Sequence, residues 1–167
     1  MTSNTLIRLR NFIILALVQV FVFSQIHLFG YATAYIYIIF LLKLPRFTSR
    51  NEQLIWAFLF GIIVDMFGNT TGVNACAATA MAFARNYILA MFTQKGVAED
   101  FVPGVQTMNW GGYAMYSGMC LTLFCTVLYI LELFTIHYPL TLLAGVVCST
   151  LLTMLFTLVI ECFTRRK

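Results

Sequence analysis

Charged side chains are scarce in this 167-residue chain, which has ten Lys and Arg residues and only six Asp and Glu residues. Hydrophobic residues make up 61 % of the sequence, and aromatic residues make up 16 %. A soluble domain of this length has too little interior to bury that much apolar surface. The composition therefore excludes an ordinary soluble protein and predicts an all-α integral membrane protein, with residues 1–167 forming a single transmembrane domain.

The sequence also lacks the motifs of catalysis and metal binding. It contains no H-E-x-x-H, no G-x-S-x-G and no glycine-rich phosphate loop. The apolar segments hold a single aspartate, whereas an intramembrane aspartyl protease needs two. The five cysteines lie in or beside apolar segments without C-x-x-C spacing, which favours packing roles over a disulfide or a metal site. We therefore expect no enzyme activity, no metal and no cofactor.

The net charge of +4 does not indicate a nucleic-acid partner. The basic residues form short clusters next to apolar segments, which is where membrane topology signals occur. A nucleic-acid-binding domain instead concentrates its bases along one face. The lipid bilayer is the partner that this distribution predicts.

Six apolar segments predict six transmembrane helices arranged as three hairpins. The spans are expected at residues 11–29, 31–44, 54–68, 72–92, 113–134 and 138–163, with a polar cytoplasmic loop at 93–112. Six crossings place both termini on the cytoplasmic side. Every Lys and Arg outside the spans then falls on that side, as the positive-inside rule requires.

The second segment, 31–44, is short for a span. A helix of that length covers about 21 Å, whereas the hydrocarbon layer is about 30 Å thick. A re-entrant loop is the alternative, but it would place the bases that follow the segment opposite the bases that precede the first span. We therefore predict a short span that ends at Pro45, because proline disfavours helix in the residue before it.

One acid and one base lie deep inside apolar segments, Asp65 in the third span and Arg85 in the fourth. A lone charge at the bilayer centre costs about 2.5–3.5 kcal/mol. Counting helical residues from the membrane surface places the two at similar depths, so we expect them either to pair or to contact other polar groups in the bundle. The candidate structural or partner-binding residues around them are Gly61, Asp65, Asn69, Gly72, Asn74 and Arg85.

The fourth helix has a face of small and polar residues that includes Asn74, Ala78, Ala82 and Arg85. At 100° per residue these positions share a narrow arc. Small residues at four-residue spacing allow two helix backbones to approach closely. The turn at 68–72 contains two glycines, which allow left-handed backbone conformations.

Two interpretations of this hairpin remain open. It is either a structural staple, with Asp65 satisfied by Arg85 or by the Asn and Thr residues of the turn, or part of a polar cavity that binds a solute or a partner helix. In the second interpretation Gln19, Asn74 and Arg85 face the cavity. Three further polar residues near the ends of spans are expected at the membrane interface: Glu132, His137 and Glu161.

Three runs follow one another in the first half of the chain. They are IHLFGYATAYIYIIFLLKLP at 26–45, a G-x3-D-x6-G pattern formed by Gly61, Asp65 and Gly72, and MAFARNYIL at 81–89. In this order and spacing they resemble the MreD family of rod shape-determining membrane proteins. The three patterned residues match the family's motif by position, and that motif has no assigned chemistry to transfer.

The resemblance implies a non-enzymatic scaffold of the machinery for peptidoglycan elongation and rod shape in the bacterial inner membrane. Members of the family associate with MreC, a bitopic membrane protein, and act with the MreB filament, RodA and its partner transpeptidase. Their fold is thought to be similar to the substrate-binding subunits of energy-coupling-factor transporters. The alternative function is a small-solute-binding membrane subunit of a transporter.

Overall fold

A computed structural model of the chain describes residues 2–20, 33–46, 48–93, 101–132 and 139–165. Within these ranges the regular structure consists of α-helices without strands. The helices are α1 (Thr2–Val18), α2 (Ile38–Leu42), α3 (Arg50–Gly68), α4 (Val73–Phe92), α5 (Val105–Glu132) and α6 (Pro139–Arg165). Helices α3, α4, α5 and α6 pack in sequence order, each against the next.

In the described part of the chain, four helical segments are long and apolar enough to cross a membrane: α3, α4, α5 and residues Leu143–Phe163 of α6. The apolar part of α1, Leu9–Val18, is shorter. The chain is therefore an all-helical, multi-pass membrane protein. The prediction of a span at 11–29 extends beyond residue 20, and that part lies outside the described residues.

The predicted third and fourth spans form a helical hairpin. Helix α3 begins four residues earlier than predicted, because the Ser49 hydroxyl caps its first turn by accepting a hydrogen bond from the Glu52 backbone N–H at 3.3 Å. It ends at Asn69, whose φ of 52° is left-handed, and Gly72 has a φ of 81°. The predicted left-handed turn is confirmed at these two residues, and it returns the chain antiparallel into α4.

The prediction of a helical span over 31–44 is wrong for its described part. Only Ile38–Leu42 is α-helical, and residues 33–35 are irregular. This stretch is rich in β-branched and aromatic residues, which favour an extended backbone. From Ala34 to Leu42 every residue is buried, so the segment runs inside the bundle and does not face lipid.

The fifth helix begins at Val105, well before the predicted residue 113. The predicted cytoplasmic loop at 93–112 is therefore shorter, since residues 105–112 are helical, while residues 94–100 lie outside the described ranges. Asn109 interrupts the helix with a φ of 62°, and its side chain accepts a hydrogen bond from the Trp110 N–H at 2.9 Å. A residue far away in the sequence stabilises this early start of α5, because Glu161 of α6 accepts a hydrogen bond from the Val105 N–H at 3.2 Å.

Aromatic rings fill the centre of the described bundle. Phe60 of α3 lies 4.0 Å from Phe12, 5.2 Å from Phe40 and 5.5 Å from Tyr37 between ring centroids. Phe124 of α5 packs edge-on against Tyr37 at 6.0 Å. The buried segment 33–44 thus contributes rings that join α1, α3 and α5 into one apolar core.

Candidate functional site: the polar interior of the bundle

The backbone of the irregular segment is hydrogen-bonded by side chains from two other helices. Gln19, just after α1, accepts from the N–H groups of Ile36 at 2.8 Å and Tyr37 at 3.4 Å, and donates to the Ala34 carbonyl at 3.0 Å. An extended backbone at membrane depth is tolerated only where protein or water satisfies its polar groups. Here one buried glutamine satisfies three of them.

Helix α6 satisfies the same segment from its other side. The Thr33 N–H donates to Ser149 Oγ at 3.2 Å, and the Tyr35 N–H donates to Thr153 Oγ1 at 3.2 Å. Ser149 and Thr153 are fully buried. Tyr129 of α5 approaches Ser149 with its hydroxyl at 2.8 Å, so the contact extends to a third helix.

Asp65 caps the start of α4 from the last turn of α3. Its carboxylate accepts from the backbone N–H of Asn74 at 3.1 Å, the side-chain amide of Asn74 at 3.0 Å, the backbone N–H of Ala75 at 2.9 Å and the hydroxyl of Thr70. The residue at the N-cap position, Gly72, has no side chain to do this. The positive end of the α4 dipole stabilises the buried carboxylate as well.

Gly61 allows this cap to form by bringing the two helices into backbone contact. A Cβ at Gly61 would lie 2.2 Å from Ala75 Cα and 2.5 Å from Ala75 N. The predicted close approach of small residues is therefore confirmed at this position. Because Gly61 is one turn before Asp65, the contact fixes the distance over which the carboxylate reaches α4.

Asp65 and Arg85 do not meet. Arg85 Nη1 lies 3.3 Å from Gln53 Oε1 at the start of α3, and Asp65 is twelve residues further along that helix. Twelve residues span about 18 Å. The prediction that Asp65 and Arg85 lie at similar depths is wrong. Helix α3 begins at Arg50 and not at Leu54, so Asp65 lies closer to the far end of the hairpin. Of the two expected arrangements, contact with other polar groups is the one observed.

Arg85 is fully buried and bound by backbone carbonyls. Its Nη2 donates to the Leu42 carbonyl at 3.2 Å and to the Leu44 carbonyl, and Nη1 also reaches Asn86 Oδ1 at 3.4 Å. The Tyr116 hydroxyl donates to the same Leu42 carbonyl at 3.3 Å. These carbonyls lie at the end of α2, where a helix has unsatisfied acceptors and a negative dipole end. Each buried charge of the hairpin is thus matched to the helix end of opposite sign.

Glu161 joins three elements at the same end of the bundle as Arg85. Its Oε2 lies 2.6 Å from Lys43 Nζ, and its Oε1 accepts from the Val105 N–H. Glu161 is only 7 % exposed, so the expectation that water reaches it near the end of a span is wrong. A backbone hydrogen bond of 2.9 Å from the Arg46 N–H to the Phe101 carbonyl reinforces this contact. His137 lies outside the described residues.

The structure divides the six predicted candidates into two groups. Gly61, Asp65, Asn69, Gly72 and Asn74 lie together at the closed end of the α3–α4 hairpin. Arg85 belongs to the opposite end, although it shares the buried face of α4 with Asn74, as predicted.

Sequence reasoning missed the residues that support the irregular segment and Arg85, namely Gln53, Ser149 and Thr153. The one sequence feature that these three residues share is a polar side chain within a membrane segment. Threonine and serine are frequent there because they bond to their own helix, as Thr153 does to the Ser149 carbonyl at 2.7 Å.

Several buried side-chain polar atoms of the described residues lack a hydrogen-bond partner, among them the Tyr37 hydroxyl, Asn74 Oδ1 and Arg85 Nε. Buried polar groups of this kind are commonly satisfied by ordered water. In the described part of the chain, no group of three His, Cys, Asp or Glu residues is placed to hold a metal ion.

Comparison with known proteins found no matching family model, no similar curated protein and no similar solved structure. The polar interior therefore has to be interpreted from its own geometry and from the sequence resemblance.

Proposed function

We propose that this protein is a non-catalytic scaffold of the cell-wall elongation machinery in the bacterial inner membrane, related to MreD. In this proposal it controls rod shape by binding an MreC-like bitopic protein and, through it, the MreB filament, RodA and the partner transpeptidase. Both termini are cytoplasmic in this arrangement. The observation that carries the proposal is that the buried polar side chains bind the chain's own backbone.

These side chains bind the chain's own backbone. Asp65 caps α4, Arg85 binds the carbonyls that end α2, and Gln19 binds the irregular segment. A transported solute needs several convergent polar groups that remain available to it. Here the three residues that would have lined a cavity, Gln19, Asn74 and Arg85, each have internal partners, and Asn74 Oδ1 and Arg85 Nε are the side-chain atoms among them left without one. This arrangement supports a rigid interaction protein.

The resemblance supplies the identity of the partners. The G-x3-D-x6-G residues have a structural use in the hairpin, since Gly61 sets the helix contact, Asp65 caps α4 and Gly72 turns the chain. A family whose motif has no assigned catalytic chemistry is expected to use that motif for structure, as these three residues do here. We therefore expect the partner to recognise the surface that this hairpin shapes.

Affinity purification from the native membrane tests the proposal. The tagged chain, extracted in mild detergent, is expected to bring down a bitopic periplasmic protein and cell-wall synthases. Asp65→Asn is expected to lower the melting temperature of the bundle or the yield of these partners. An eluate without them, or an Asp65→Asn variant as stable as the parent that keeps every partner, would contradict the scaffold.

One observation favours the second candidate, a small-solute-binding subunit of a transporter. Broken, irregular backbone inside a membrane bundle is typical of transporter binding sites, and residues 33–37 next to the unpartnered Tyr37 hydroxyl have this character. A solute that raises the melting temperature of the purified chain, or co-purification of an ATPase, would support this function. A Tyr37→Phe variant should then lose the response to the solute.

A further inference from the structure

Arg50, the first residue of α3, lies over two aromatic rings of α4. Its Cζ is 5.0 Å from the ring centroid of Tyr87 and 5.6 Å from that of Phe83. Tyr87 and Phe83 are four residues apart on α4 and are 57 % and 55 % exposed, so they face outward. In a membrane-spanning helix, rings and bases near a helix end occupy the headgroup region of the bilayer.

The charge of Arg50 has no carboxylate partner among the described residues. Two other cations at this end of the bundle have partners within the fold, since Lys43 pairs with Glu161 at 2.6 Å and Arg85 donates hydrogen bonds to carbonyl oxygens. Arg50 is exposed, and within the described ranges the two rings are its recorded side-chain contacts. Its guanidinium is therefore open to an anionic ligand.

We propose that Arg50, Phe83 and Tyr87 form a binding site for the headgroup phosphate of an anionic phospholipid. Contact with the two rings restricts the guanidinium, and its N–H groups, which have no hydrogen-bond partner among the described residues, can bind two phosphate oxygens. Phe83 lies one turn deeper than Tyr87 on α4, where it contacts the start of an acyl chain. A zwitterionic lipid fits less well, because its ammonium group offsets the attraction of the phosphate.

Native mass spectrometry of the full chain tests this site. The protein is equilibrated with equimolar phosphatidylglycerol and phosphatidylcholine in detergent, and the bound lipids are counted. The parent is expected to retain mainly phosphatidylglycerol, and Arg50→Gln is expected to lower the ratio of the two about fivefold, the effect of one basic residue near an anionic membrane. Tyr87→Leu keeps the charge but removes a ring, so it should lower the ratio by a smaller factor.

Arg10→Gln is the matched control, because Arg10 is an exposed base on a different helix, α1. It should leave the lipid ratio unchanged. A parent that binds both lipids equally, an Arg50→Gln variant with the parental ratio, or an equal loss in the Arg10→Gln control would each overturn the proposal. The last result would mean that lipid selection follows net charge and not this site.

Discussion

Replacing Gly61 by alanine tests the close packing of α3 against α4. The added Cβ would lie 2.2 Å from Ala75 Cα, whereas non-bonded carbon atoms settle at about 3.5–4.0 Å. The obstacle is backbone, which no side-chain rotation can relieve. The two helices must therefore separate by about 1 Å or more at this point.

Separation also lengthens the bonds from Asp65 to the N–H groups of Asn74 and Ala75, now 3.1 and 2.9 Å. Overpacking costs about 1–3 kcal/mol, and weakening a hydrogen bond to a charged group costs about 1.5–3 kcal/mol. We expect Gly61→Ala to lower the free energy of unfolding by about 3 kcal/mol or more. Unfolding of the purified protein by titration with a denaturing detergent measures it.

The control for Gly61→Ala is Gly118→Ala in α5. There the nearest atom to the new Cβ is the flexible Met154 Sδ at 3.9 Å, so the substitution fits and should be neutral or slightly stabilising. The reasoning is refuted if Gly61→Ala unfolds at the same detergent concentration as the parent or the control.

Three further substitutions test separate contacts by the same unfolding measurement. Gly72→Ala forces a side chain onto a φ of 81° and should cost about 1–2 kcal/mol; a neutral result would mean that the turn relaxes. Lys43→Met and Glu161→Gln, alone and together, should show a coupling energy of about 1 kcal/mol, since the pair is 2.6 Å apart and partly buried; strict additivity would contradict the ion pair. Arg85→Lys should cost about 2 kcal/mol, because one ammonium group cannot reach the Leu42 and Leu44 carbonyls and Gln53 together; parental stability would contradict that geometry.

The hairpin could be predicted from the sequence because its determinants are local. Gly61, Asp65 and Gly72 lie within twelve residues, and helical spacing alone places the small residues of α4 on one face. The left-handed turn follows from its Asn and Gly composition. The bounds of α4 were confirmed to within one residue for the same reason.

The partners of the two charges could not be predicted, because distant elements supply them. Arg85 binds carbonyls more than forty residues earlier in the chain, at the end of α2, which the sequence presents as part of a longer helix. The irregular path of residues 33–37 likewise depends on Gln19, Ser149 and Thr153, and no local pattern reveals those contacts. Hydrophobicity locates membrane segments but does not distinguish a buried irregular segment from a helix.

The start of α5 shows the same limitation. The apolar pattern begins at residue 113, whereas the helix begins at Val105, where Glu161 of α6 satisfies the first N–H. A cap supplied by another helix has no signature near the helix that it caps.

In the proposed scaffold, the polar interior binds the chain's own backbone and is packed without a solvated solute cavity. Hydrogen exchange of the full chain in lipid nanodiscs tests this most directly, through the amides of Ile36 and Tyr37, which bond to Gln19. We expect them to exchange as slowly as amides in the middle of α4, and to remain slow in Asp65→Asn while Asn74 and Ala75 exchange faster. Rapid exchange of Ile36 and Tyr37 in the parent protein would contradict the claim and favour a water-filled solute site.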